Sequence, residues 1–75
     1  MEILRLPKHP GNETVARLTL SQAHDGRFRA NLKIEGPMSR FMEDRDHETV
    51  VQAEDWAIEG AEQRRASALI IEDRT

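Results

Sequence analysis

The stretch "RFRANLKIE", Arg27 to Glu35, decides the reading of this chain. Phe28, Ala30, Leu32 and Ile34 fall on one side; Arg27, Arg29, Asn31, Lys33 and Glu35 fall on the other. A period of two over this length is a β-strand with one buried face and one wet face. Just upstream, Asp25-Gly26 marks a hairpin turn, because glycine takes positive φ without a Cβ clash. Before the turn, Val15 to Leu20 alternates in the same way, with Ala16, Leu18 and Leu20 inward and Val15, Arg17 and Thr19 outward. Downstream, Gly36-Pro37 ends the strand. Ser39 to Glu43 then reads as a third antiparallel strand, with Phe41 inward and Arg40 and Met42 outward.

Residues 49 to 66 have helical periodicity. Val50, Ala53, Ala57, Gly60 and Ala61 share one arc, while Glu48, Gln52, Asp55, Glu59, Glu62 and Gln63 lie opposite. Thr49 and Gln52 have the spacing of a capping box, and Arg64 and Arg65 sit where a helix dipole favours cations. Small residues on the apolar stripe allow the helix to approach a sheet closely. Leu69 to Glu72 reads as a final strand. Residues 2–6 read as a further short strand at the front, followed by a Pro- and Gly-containing loop over residues 7–13. The predicted fold class is α+β: a three-stranded antiparallel sheet on one amphipathic helix with a C-terminal strand, β-β-β-α-β plus the extra N-terminal strand, in one domain over residues 1–75.

Between sheet and helix lies "FMEDRDHET", residues 41–49. Its acids and His47 invite a metal or acid–base reading. A calcium loop beginning at Asp44 requires glycine at its sixth position and glutamate at its twelfth. Thr49 and Asp55 stand there instead. A single histidine does not make a zinc site. Asp46 and Glu48 are better read as negative charge at the start of the helix. Ser21, His24 and Asp25 have the residue types of a catalytic triad, but they crowd one tight turn, and turn chemistry explains them better. No cofactor motif is present in the sequence, and no catalytic role is assigned to any residue.

The chain has 75 residues, no cysteine and a formal net charge of −3. A domain of this size buries only about 60–65% of its unfolded surface, so a partner subunit would add usefully to its core. No apolar run approaches the ~20 residues of a membrane span. The polar N-terminal residues do not resemble a signal peptide, so the expectation is a cytoplasmic protein. Charge is unevenly placed. Residues 1–40 hold seven Lys/Arg against four acids, and residues 41–75 hold four Arg against ten acids. Such a split suits differently charged faces or association between copies.

Two surfaces emerge. The outward face of the sheet gathers Arg17, Arg27, Arg29, Asn31, Lys33 and Arg40, a set able to contact nucleic acid. The same set is also what the wet face of an antiparallel sheet carries for solubility alone. Trp56, at the edge of the helix stripe, either seals the rim of the core or anchors a protein contact. Leu69 and Ile71, on a strand that must pair with something, are candidates for the same interface.

The segments "GRFRANLKIEG", "SRFMEDRDHET" and "TVVQAEDWA" together resemble the AP2-like arm-type DNA-binding domain of integrases. That domain has three strands followed by a helix starting Thr-x-x-x-Ala-x-x-Trp, matched here by Thr49, Ala53 and Trp56. The resemblance spans residues 15–62 and extends to small bacterial β-β-β-α domains of unknown function. It implies DNA contact by the same open-face residues, Arg17, Arg27, Arg29, Asn31, Lys33 and Arg40. The leading expectation is a non-catalytic binding protein that pairs as a homodimer or with another protein. The alternative is a nucleic-acid-binding module using the sheet face.

Overall fold

The structure is a computed structural model that describes residues 2–5, 14–37 and 40–75. Its elements are β1 (Glu2–Leu4), β2 (Val15–Gln22), β3 (Phe28–Glu35), β4 (Arg40–His47), α1 (Val50–Gln63) and β5 (Ala68–Asp73). The fold class is α+β, as the alternation of the strands and the stripe of the helix predict. The loop predicted over residues 7–13 lies outside the described residues.

The turn between β2 and β3 forms as its chemistry requires. Gly26 has φ +84° and donates its N–H to the Ala23 carbonyl at 3.3 Å. The Ala23 N–H donates to the Arg27 carbonyl at 2.8 Å. The Asp25 carboxylate accepts the Arg27 N–H at 3.1 Å, which holds the turn from inside. From this turn β2 and β3 zip together antiparallel, from Gln22 opposite Phe28 to Val15 opposite Glu35.

β4 is longer than the periodicity suggests. It continues antiparallel to β3 from Arg40 opposite Glu35 to His47 opposite Phe28. The expectation that Asp46 and Glu48 sit just before or within the first turn of the helix holds for Glu48, which directly precedes the cap Thr49, and is corrected for Asp46. Asp46 belongs to β4, Glu48 follows the strand, and the first turn of α1 contains no acid. The cause is cross-strand pairing. Asp46 stands opposite Arg29 and Asp44 opposite Asn31, and such pairs outweigh the weak strand preference of acidic residues.

Thr49 caps α1, its hydroxyl accepting the Gln52 N–H at 3.1 Å. Gln52 returns the interaction one residue earlier than a capping box does, accepting the Glu48 N–H at 3.1 Å. At the other end, Arg64 and Arg65 lie beyond the last helical turn. Arg64 is the C-cap and Arg65 takes φ +55°. The Arg65 N–H reaches the Glu62 carbonyl at 3.1 Å and the Ala66 N–H reaches Ala61 at 2.9 Å, a Schellman ending with arginine where glycine is usual.

After α1, the chain enters the sheet in parallel between β1 and β2, giving the order β1-β5-β2-β3-β4. The inward residues Ala16, Leu18, Leu20, Ala30, Leu32, Ile34, Leu69 and Ile71 meet Ala53, Ala57 and Ala61 of the helix. Alanines four residues apart let the helix backbone sit low on the sheet. Gly60 lies at a close approach, since a Cβ there would lie 3.0 Å from the Leu32 Cδ2. A second close approach lies at the end of β3, where a Cβ on Gly36 would meet the Thr14 hydroxyl at 2.5 Å.

Two stability outcomes follow. Arg65→Gly relieves the left-handed strain and raises unfolding free energy by about 1 kcal/mol, read as a higher urea midpoint at unchanged slope. Ala57→Leu forces extra volume between helix and sheet and lowers stability by about 1–3 kcal/mol in the same measurement.

Candidate functional site

The register fixes what each face carries. On the face away from α1, β2 presents Val15, Arg17, Thr19 and Ser21, and β3 presents Glu35, Lys33, Asn31 and Arg29. β4 adds Arg40, Met42, Asp44 and Asp46; β5 adds Ala68, Ile70 and Glu72. Five of the six residues predicted for this face are there. Arg27 is the exception: it sits in the turn, 3.8 Å from the Asp25 carboxylate.

The predicted basic patch is changed by what β4 and β5 contribute. Arg29 donates to Asp46 at 3.1 Å, and the Asn31 amide donates to Asp44 at 2.6 Å. The Arg29 guanidinium is held more firmly protonated by its hydrogen bond and charge contact with Asp46. Lys33 meets Glu35 at 2.7 Å. The face thus carries Arg17, Arg29, Lys33 and Arg40 against Glu35, Asp44, Asp46 and Glu72. The charges separate along the strands. Arg17, Lys33 and Arg40 surround Glu35 at the Gly36 end, and Asp44, Asp46 and Glu72 collect toward the turn end with Arg29. Continuing the alternation from Phe41 to His47 would have placed Asp44 and Asp46 here. The signal is weak because both faces of β4 are polar.

This face is not uniformly wet. Val15 is 6% exposed and Ile70 is fully buried, although both point away from the helix. Beside them is a recess of about 290 Å³ lined by Val15, Arg17, Lys33 and Glu35. A neighbouring recess of about 320 Å³, lined by Lys33, Glu35, Arg40, Phe41 and Met42, opens toward the sheet edge.

β4 is that edge. Among the described residues its outer side has no strand partner. Met42 is 67% exposed on it. On the helix side, the edge is lined with aromatic contacts. The Arg64 guanidinium lies 3.7 Å over the Phe41 ring, the Arg45 guanidinium 5.4 Å from the Trp56 ring, and His47 and Trp56 pack with centroids 5.4 Å apart. Trp56 is half-buried against the core, so it seals the rim while keeping one side open at the β4 edge. Leu69 and Ile71, predicted as interface residues, are corrected in place. They are 0% and 2% exposed within the chain's own core, and β5 is flanked by strands on both sides.

The acids of residues 43–46 do not converge, because successive strand residues point to opposite faces. Glu43 and Arg45 face the helix side, 3.8 Å apart, while Asp44 and Asp46 face away. His47 Nε2 is buried without a hydrogen-bond partner. Burial pushes the His47 pKa down, helped by the Arg45 charge and opposed by Asp46. Across the helix, Arg5 grips both oxygens of Glu54 at 3.1 Å, tying the end of β1 to α1. No known protein family matches the chain, and neither does any curated protein or solved structure.

The state of His47 makes stability depend on pH. Its folded pKa lies below the ordinary 6.5, so protonation favours the unfolded chain. The neutral ring's contribution is complete above that value and is lost as pH falls through the folded pKa. Thermal unfolding between pH 7.5 and 5 should show the wild type losing more stability than His47→Gln.

Proposed function

We propose that this chain is a non-catalytic binding protein that associates with a second copy of itself through the free edge of β4. The carrying observation is an eight-residue edge strand with an exposed Met42 at its open half and half-buried Phe41 and Trp56 beside it. An unpaired edge offers a row of backbone donors and acceptors that another strand can satisfy. A two-fold pairing of antiparallel strands centred on Met42 brings the two Met42 side chains together. It also sets Arg40 of each copy against Asp44 of the other, and opposite charges directly across strands attract. Arg40 makes no ion pair or side-chain hydrogen bond among the described residues, so it is available for this role. The alternating charges of Asp44, Arg45 and Asp46 then limit sliding of the register.

The nucleic-acid reading draws less support. Phosphate binding needs unbalanced cations, and Asp44, Asp46 and Glu72 share the face with the arginines. The edge reading is tested by sedimentation equilibrium across a range of protein concentration. Met42→Lys should weaken the dimer by about tenfold or more, 1.4 kcal/mol per tenfold. Arg40→Asp or Asp44→Arg alone should weaken it, and the two together should restore it. A wild-type chain that stays monomeric at high concentration defeats the proposal.

A further inference from the structure

We propose that the recess lined by Val15, Arg17, Lys33 and Glu35 binds a small hydroxylated phosphate monoester, with Arg17 as the anchor of its phosphate. This site lies inside the sheet face and does not draw on the β4 edge.

The first observation concerns Arg17. Three arginines make no ion pair, side-chain hydrogen bond or ring contact among the described residues: Arg17, Arg40 and Arg65. Arg40 and Arg65 are exposed, and water satisfies them. Arg17 is half-buried, in the interior strand β2 between the fully buried Ile70 and Lys33. Its guanidinium borders a recess with its fork of donors unclaimed by any described side chain.

The second observation is the recess itself. Its volume of about 290 Å³ falls at the lower end of small-molecule sites, ~300–1,000 Å³. That size suits a sugar phosphate and not a polymer. Arginine matches a phosphate through two parallel N–H···O bonds. Lys33 borders the same recess on a flexible stem, so its ammonium can turn to a second phosphate oxygen. Glu35, on the same wall, suits a ligand hydroxyl and works against a second phosphate. Val15 supplies an apolar surface for the carbon skeleton. The opposite end of the face, with Asp44, Asp46 and Glu72, repels any polyanion extending along the sheet.

The test is a titration of the isotope-labelled full chain with ribose 5-phosphate, followed by amide NMR at fixed ionic strength, with ribose and chloride as controls. Saturable shifts at Val15 to Thr19 and at Lys33 to Glu35 are expected. Arg17→Gln should weaken binding tenfold or more. Arg17→Lys, which keeps the charge but not the fork, should fall between it and wild type. Arg29→Gln, at the acidic end, should leave affinity within twofold. Inorganic phosphate shifting the same amides more weakly supports the phosphate half of the assignment. Absence of saturable shifts, or equal losses in Arg29→Gln and Arg17→Gln, overturns it. So does duplex DNA binding that is indifferent to Arg17.

Discussion

Gly60 lies so close to Leu32 that a Cβ there would sit 3.0 Å from the Leu32 Cδ2, and most of this structure depends on that close approach of helix and sheet. A layer only one alanine side chain thick separates α1 from the strands along Ala53, Ala57 and Ala61. A sheet face built from Leu18, Leu20, Leu32, Ile34, Leu69 and Ile71 can then be covered by a helix of four turns. The large side chains come from the strands and the small ones from the helix. This division matches large side chains to small ones across the interface, as close packing requires. It also decides where the larger helix residues go. Trp56 cannot lie under the helix, so it projects to the β4 flank and meets Arg45 and His47.

Electrostatics is organised by the strands more than by the sequence halves. The acidic second half of the chain and the basic first half interleave on the open face, because β4 and β5 flank β3 and β2. The separation that looks global in the sequence becomes a set of local pairs, Arg29 with Asp46 and Asn31 with Asp44. Exposed pairs of this kind orient side chains more than they stabilise. Their main effect is subtractive: they remove Arg29 from any basic surface and leave Arg17 and Arg40 with different environments.

The strands at the centre of the antiparallel part were legible because their inward residues are apolar from end to end but for Gln22 beside the turn. Ala16, Leu18 and Leu20 and then Ala30, Leu32 and Ile34 leave one register open. The helix was legible for the same reason, together with the Thr49 cap. β4 was only half legible. Beyond Phe41 its inward positions are Glu43, Arg45 and His47, so alternation of polarity disappears and only pairing with β3 reveals the strand. The insertion of β5 between β1 and β2 left no trace in local pattern, since parallel pairing is decided by distant residues. The run Ala68 to Ile71, apolar at every position, does fit a strand buried on both faces.

That insertion has a consequence for how the molecule is made. β5 is an interior strand that follows every other described strand in sequence, and its partners begin at Glu2 and Val15. β2, β3 and β4 can zip sequentially through near neighbours. The remaining half of the sheet waits for residues 68–73 to pair with β2 across a long sequence separation, and β1, which pairs with β5, joins the sheet only with it.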